Sequence, residues 1–162
     1  MNEHVKPYHK DGEGKKEEVE QMFDNIAHRY DFLNHLLSAG IDRLWRKKAI
    51  KHIGGYSPKC VLDMATGTGD FAFDAANILE LDKIVALDLS EEMLTIGRKK
   101  MKKNRHNIIE FVKGDSENLN YESNSFDAMT AGFGVRNFEN LEQGLREMYR
   151  VLKPGAPLVI LE

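Results

Sequence analysis

The sequence predicts an α/β protein whose strands form a parallel, doubly wound sheet. From Cys60 onward, short apolar runs typical of buried strands alternate with stretches that have helical apolar spacing. The first apolar run ends in the glycine-rich turn Gly67-Thr68-Gly69, and the second ends on Asp88, 21 residues after Gly67. A glycine-rich turn answered by an acid at this distance is how sheets of this class hold a nucleotide-type cofactor.

Two helices are predicted ahead of the sheet. Apolar side chains from Val19 to Tyr30 recur with the i, i+3, i+4 and i+7 spacing of one helix face. A second apolar stripe, expected to pack on the core, precedes Gly54-Gly55 and consists of Ile41, Leu44, Trp45, Ala49 and Ile53. We therefore expect residues 15–56 to form an N-terminal helical lid region. Residues 1–14 are polar, and we expect them to form a disordered tail.

Five strands and three helices are predicted in the remainder of the chain. The strands are predicted at residues 60–64, 83–87, 108–112, 126–131 and 157–161. Ser90 is the predicted N-cap of a helix whose basic last turn is expected to face solvent, and Lys153-Pro154-Gly155 ends the last helix. A fifth strand without a following element leaves an open edge. Residues 57–162 are thus expected to be an incomplete cofactor-binding domain, and the chain a fragment of a longer protein.

Composition limits the classes of function. The 162 residues suffice for one domain, and the apolar fraction of 41% with a charged fraction of 30% is typical of a soluble globular protein. A net charge of −3 gives no global attraction for nucleic acid, so we expect no such partner. One cysteine excludes an internal disulfide, and no apolar run reaches the roughly 20 residues of a membrane span. These features favour a cytoplasmic location.

Metal chemistry is not predicted. The six histidines are scattered, and the chain has no C-x-x-C or H-E-x-x-H motif with the ligand spacing that a zinc site requires.

The cofactor predicted for the glycine-rich turn is S-adenosylmethionine rather than NAD. The G-x-G-x-x-A match at residues 67–72 suits both and is weak alone. Asp63, four residues before Gly67, would repel a pyrophosphate but suits an ammonium group. Asp115 and Ser116 follow the third strand, where an acid can accept from an adenine amino group. About 60 residues precede the turn, whereas NAD domains more often begin at the first strand.

Three stretches carry a resemblance to a known family. They are Tyr30-Asp31-Phe32-Leu33-Asn34 with Ser38 and Trp45, then Phe133-Gly134-Val135-Arg136-Asn137, and finally Arg150-Val151-Leu152-Lys153-Pro154-Gly155 running to Leu161-Glu162. On these, residues 18–162 resemble the demethylmenaquinone and ubiquinone-pathway C-methyltransferases, a branch of the class I S-adenosylmethionine-dependent enzymes. The resemblance implies a Rossmann-like fold whose last strands are missing here.

The resemblance also implies site residues. Cofactor contacts are implied at Thr68 in the turn, at Asp88 on the ribose and at Asp115-Ser116 on the adenine. Gly132 stands where the family often has a serine contact, so only its backbone is available. With Asp63, Gly67 and Gly69 from the residue-level reasoning, the expected cofactor-binding set is Asp63, Gly67, Thr68, Gly69, Asp88, Asp115, Ser116 and Gly132.

The reaction that the resemblance implies is methyl transfer to a ring carbon of a lipophilic polyprenyl quinol, with demethylmenaquinol favoured. Arg136 and Asn137 follow the fourth strand and are expected to orient the quinol and stabilise its phenolate, with Tyr30 as a second-rank catalytic candidate. An apolar substrate also implies peripheral contact with a membrane surface. An NAD-dependent oxidoreductase and a non-catalytic cofactor-binding scaffold remain alternatives, and the oligomeric state stays open.

Overall fold

The described part of the chain alternates helices and strands. The structure, a computed structural model, describes residues 14–37, 41–104 and 107–162, without the side chains of residues 30–37 and 103–104. The helices are α1 (Lys15–Leu37), α2 (Ile41–Gly54), α3 (Asp70–Ile78), α4 (Glu91–Asn104) and α5 (Leu141–Val151), with a short 3-10 helix at Val135–Asn137. The strands are β1 (Cys60–Met64), β2 (Lys83–Asp88), β3 (Ile109–Lys113), β4 (Ala128–Gly132) and β5 (Leu158–Leu161). The predicted tail at residues 1–14 lies outside the described residues, apart from Gly14.

All strand pairings are parallel, in the order β3-β2-β1-β4-β5. In this register Leu62 of β1 lies between Val85 of β2 and Met129 of β4. The order reverses between β1 and β4, which is the switch point where doubly wound sheets bind ligands. The predicted Rossmann-like α/β fold is therefore confirmed.

Two apolar cores, one on each face, hold the sheet between helices. Val61 packs with the buried faces of α2 and α3, whereas Leu62 packs with α5 on the opposite face. Residues 61–64 of β1 are at most 1% exposed, as expected of a central strand covered on both faces. In the described residues β5 pairs only with β4, and its Leu158 and Ile160 are 38% and 37% exposed.

Two local predictions need correction. The fourth strand does not begin at Phe126, because the backbone there bonds to Val151 and Lys153 around the end of α5 and forms only an isolated bridge with Leu152. The predicted stripe of α2 is only partly in the core: Ala49 and Ile53 are buried, but Ile41, Leu44 and Trp45 are 46%, 67% and 50% exposed. In the first two turns the inward face carries the ion pair of Asp42 and Arg46, so the apolar residues there lie on the outer side of the helix and do not pack in the core.

Among residues 14–37, 41–104 and 107–162, no helix combines the length and apolar character that crossing a bilayer requires.

Candidate functional site

An open cavity lies at the carboxyl edge of the sheet, beside the switch point. It holds about 690 Å³ of empty space, a figure that includes the solvent at its mouth. Six of the residues predicted for the site line this cavity: Gly67, Asp88, Asp115, Ser116, Gly132 and Asn137. The cavity thus brings together the turn after β1, the end of β2 and the loops after β3 and β4.

The two glycines of the turn face different surroundings. Gly67, with a φ of 58°, lines the cavity, so its bare backbone is open to a ligand. Gly69 has a φ of 90°, and a Cβ built on it would lie 2.6 Å from the ring of Phe111. Gly69 therefore allows close helix–strand packing at the start of α3, whereas the backbone of Gly67 is open to the cavity.

Asp88 holds the turn and faces the cavity. Its Oδ2 accepts from the Gly67 amide at 2.7 Å, and its Oδ1 accepts from the Ser90 amide at 2.9 Å. Burial raises the pKa of Asp88, while these backbone hydrogen bonds oppose the shift by favouring the charged form. A carboxylate has about four lone-pair sites, so capacity remains for hydroxyl donors of a ligand.

Asp63 lies beneath the turn and does not line the cavity. It is 1% exposed, accepts from the hydroxyl of Thr66 at 2.5 Å and accepts from the hydroxyl of Thr130 at 2.7 Å. Burial raises its pKa to about 6. Asp63 thus joins β1, β4 and the turn through its hydrogen bonds, and it lies behind the turn rather than in the lining of the cavity.

Thr68 also points away from the cavity. The residue is 2% exposed, and its hydroxyl oxygen accepts from Lys100 Nζ at 2.8 Å. Lys100 comes from the basic last turns of α4 and also contacts Asp70, the first residue of α3, at 3.0 Å. Sequence reasoning expected this basic segment to face solvent, and no local pattern distinguishes Lys100 from its neighbours.

The wall opposite the turn belongs to α1. The cavity is lined on this side by Lys16, Val19, Glu20 and Phe23, and the sequence did not predict any of them as a site residue. The apolar pair Val19 and Phe23 has the spacing of an ordinary core stripe, so only its position in space identifies it as part of a site.

Ion pairs and hydrogen bonds hold α1 across the cavity. Lys16 Nζ lies 2.7 Å from Asp115 Oδ2 and 3.5 Å from Glu117 Oε2. Burial alone would lower the pKa of Lys16, but the hydrogen bond and the attraction of Asp115 outweigh this and raise it. The neighbouring Lys15 donates from Nζ to the carbonyl of Phe138 at 2.6 Å. The start of α1 is therefore bound to the loops after both β3 and β4.

At the end of β4 the structure separates the two predicted catalytic neighbours. Asn137 lines the cavity, whereas the side chain of Arg136 is 63% exposed, with Nε 3.5 Å from Glu162 Oε2. Glu162 also accepts from the amide of Val135 at 2.8 Å, so it anchors the 3-10 helix. Gly132 lines the cavity, and a Cβ there would lie 3.1 Å from the ring of Phe71. The side chain of Tyr30 lies outside the described residues.

Within the described ranges, no three His, Cys, Asp or Glu side chains are grouped so that they would hold a metal ion.

The switch-point cavity, the glycine turn and the acid at the end of β2 define a Rossmann-like domain with a nucleotide-cofactor site. A model of the ubiE/COQ5 methyltransferase family matches residues 11–162. The chain belongs to this family, as its three resembling stretches led us to expect.

Named relatives agree with this assignment. The chain is 53% identical over 161 residues to a demethylmenaquinone methyltransferase of Bacteroides fragilis, covering 99% of this chain and 65% of the relative. It is 46% identical over 151 residues to a ubiquinone/menaquinone biosynthesis C-methyltransferase UbiE of Geotalea daltonii, covering 91% and 64%. The chain thus spans about 65% of the length of these relatives.

A solved structure shares the fold. A putative S-adenosyl-L-methionine-dependent methyltransferase from Methanococcus maripaludis superposes with a TM-score of 0.76 at 28% identity. The match covers 85% of this chain and 62% of the other.

Proposed function

We propose that this chain carries the S-adenosylmethionine site of a methyltransferase that methylates a ring carbon of a polyprenyl quinol, with demethylmenaquinol as the substrate. One observation carries the cofactor assignment: the cavity is rich in carboxylates. It is lined by one cation, Lys16, and by the five acids Glu20, Asp88, Asp115, Glu117 and Glu139. A lining of this charge disfavours the pyrophosphate of NAD and suits the positive sulfonium and ammonium of S-adenosylmethionine.

The residues present fit this cofactor. Gly67 offers an uncovered backbone, and Asp88 has acceptor capacity for ribose hydroxyls. The Asp115-Ser116 pair, after β3, lines the same cavity and is available for the adenine edge. Thr68, Gly69 and Asp63 act from behind the turn, by holding it in place. The backbone of Gly132 forms part of the same edge.

Catalysis at this edge depends mainly on alignment and exclusion of water. The cofactor, when bound, supplies a methyl group already activated on its sulfonium. Asn137 faces the cavity and is the residue best placed to orient a quinol oxygen. The guanidinium of Arg136 would have to separate from Glu162 before it could stabilise a phenolate. We therefore rank Arg136 below Asn137 as a catalytic residue. Tyr30, on α1, is proposed as a further contact.

The proposed substrate determines the surroundings in which the protein works. A polyprenyl tail is held in a bilayer, so we propose that the whole protein is cytoplasmic and approaches the membrane peripherally. The bound partner is the lipophilic quinol, and no nucleic acid is proposed.

Calorimetric titration with S-adenosylhomocysteine, with NADH as the control ligand, tests the cofactor assignment. We expect the first ligand alone to bind, and Asp88→Ala to weaken it because the acceptor of the ribose hydroxyls is lost. Binding of NADH alone would overturn the proposal in favour of an oxidoreductase.

Turnover tests the substrate. In the full-length enzyme, methylation of a short-chain demethylmenaquinol is expected to fall more for Asn137→Ala than for Arg136→Ala, because only Asn137 lines the cavity. Normal turnover in both variants would remove these residues from the mechanism. Cofactor binding without turnover on any quinol would favour a scaffold.

A further inference from the structure

The first two turns of α2 expose apolar side chains that the core does not use. Ile41, Leu44 and Trp45 are 46%, 67% and 50% exposed and follow i, i+3, i+4 spacing, so they share one face of the helix. The opposite face is buried against the sheet, with Ile50 and Ile53 both 0% exposed. The outer residues therefore form a separate surface, which we call the α2 patch.

The α2 patch lies among positive charges. Arg43, Lys47, Lys48 and Lys51 are all exposed on the same helix. The only acid of α2, Asp42, is 3% exposed and is paired with the buried Arg46. The outward surface of α2 thus has four cations and no carboxylate of its own, although the whole chain has a net charge of −3.

Ion pairs of the buried Arg46 hold this surface at the edge of the sheet that contains the cavity. Arg46 Nε lies 2.8 Å from Asp74 Oδ2, and Nη2 lies 3.9 Å from Asp70 Oδ2. Asp70 is the first residue of α3 and directly follows the glycine turn. The amino-terminal half of α2 is consequently fixed beside the carboxyl edge of the sheet.

We infer that the α2 patch docks on the surface of an anionic lipid bilayer, with Leu44 and Trp45 at the headgroup level and the surrounding lysines on lipid phosphates. A helix with exposed Leu and Trp beside Lys and Arg has the composition of segments that lie in the membrane interface. Positive side chains near an anionic leaflet add attraction that salt screens. The choice of a bilayer rests on the proposed function, because a polyprenyl quinol resides there.

Trp45 reports on its own docking, because it is the only tryptophan of the chain. Its emission is recorded while vesicles are added, either of phosphatidylcholine alone or of equal parts phosphatidylglycerol and phosphatidylcholine. With the anionic vesicles we expect a blue shift and protection from acrylamide quenching, both reversed by high salt. Phosphatidylcholine alone is expected to give little change.

Variants separate the contributions of charge and apolar contact. Lys47→Gln with Lys48→Gln is expected to lower partitioning onto the anionic vesicles by roughly tenfold or more. Lys99→Gln with Lys102→Gln removes the same charge from exposed positions on α4, outside the α2 patch, and is expected to have little effect. Leu44→Gln preserves the reporter and is expected to reduce the blue shift, whereas Leu145→Gln on the opposite face of the sheet is not.

Several outcomes would overturn the inference. These are equal partitioning onto both kinds of vesicle, an equal loss in the α4 control, or an unchanged Trp45 emission. A blue shift that depends on protein concentration without vesicles, with dimers in sedimentation, would assign the patch to a second copy of the chain. A shift produced by an oligonucleotide instead of vesicles would assign it to nucleic acid.

The two proposals fail separately. If S-adenosylhomocysteine binds and Trp45 does not respond to vesicles, the docking surface is wrong and the cofactor assignment stands. If the protein binds the anionic vesicles but not S-adenosylhomocysteine, the docking surface stands and the cofactor assignment is wrong.

Discussion

The ion pair between Lys16 and Asp115 is expected to compete with the proposed cofactor. Asp115 is the carboxylate proposed to accept from the adenine amino group, yet its Oδ2 already lies 2.7 Å from Lys16 Nζ. Replacing the lysine in Lys16→Gln removes the charge and preserves a polar side chain of similar length. We therefore expect the variant to bind S-adenosylhomocysteine more tightly than the parent protein.

The exposure of the pair sets the size of the effect. The side chains of Lys16 and Asp115 are 26% and 32% exposed, so solvent screens much of their attraction. Ion pairs of this kind contribute about 0.2–1 kcal/mol. Releasing one corresponds to a dissociation constant lower by at most about fivefold. Added salt is expected to tighten binding in the parent protein, by weakening the pair, and to have little effect on the variant.

Calorimetric titration of Lys16→Gln and of Lys113→Gln with S-adenosylhomocysteine distinguishes two explanations for tighter binding. One is that Lys16 competes with the cofactor for Asp115, and the other is that the substitution only loosens α1. Lys113 Nζ also ties α1 to β3, through Glu20 at 2.7 Å, but it does not contact Asp115. Competition predicts tighter binding in Lys16→Gln alone. Equal gains in both variants would mean that α1 merely opens, and weaker binding in Lys16→Gln would make the lysine a ligand of the cofactor; either result refutes the reasoning.

Three further predictions follow from neighbouring contacts. Lys100→Gln removes the 2.8 Å hydrogen bond to Thr68 and is expected to speed dissociation of S-adenosylhomocysteine in stopped-flow measurements, with Lys99→Gln as the control. The pKa of Asp63 is raised from 3.8 to about 6, so the folded state binds the proton of this carboxyl more tightly than the unfolded state does. As the pH rises through this window, the free energy of unfolding of the parent protein should fall by up to about 3 kcal/mol relative to that of Asp63→Asn, measured in urea titrations. A parallel pH dependence of the two proteins would contradict this. Arg136→Ala is expected to leave binding of S-adenosylhomocysteine unchanged, since the guanidinium lies outside the cavity, and a loss of affinity in calorimetry would place it inside.

The sheet and the glycine turn were predictable because their signals are local. Strand β1 is a short apolar run buried on both faces, and its bounds agree with the prediction. Gly67 follows β1 and Asp88 ends β2. Because these two strands are adjacent and parallel, their carboxyl ends lie side by side, and the two residues are in contact. The register of the sheet then brings both to one edge, where the cavity lies.

Side-chain direction was not predictable from the same motif. Gly67 and Gly69 differ by two positions, but one faces the cavity and the other faces Phe111. Arg136 and Asn137 are adjacent, but the 3-10 helix turns only Asn137 inward. These directions depend on which neighbour packs behind each residue, and this information is distributed over distant parts of the chain.

The α1 wall shows why long-range contacts determine the rest of the site. Lys16 reaches Asp115 across 99 positions of sequence, and the adjacent Lys15 reaches Phe138 across 123. Two neighbouring residues of one helix thus bind the loop proposed for the adenine and the loop that follows Asn137. A movement of α1 that frees Asp115 also acts on the backbone at Phe138. The proposed cofactor and quinol contacts are therefore joined through the start of α1, and Lys16→Gln is expected to change quinol turnover as well as cofactor affinity.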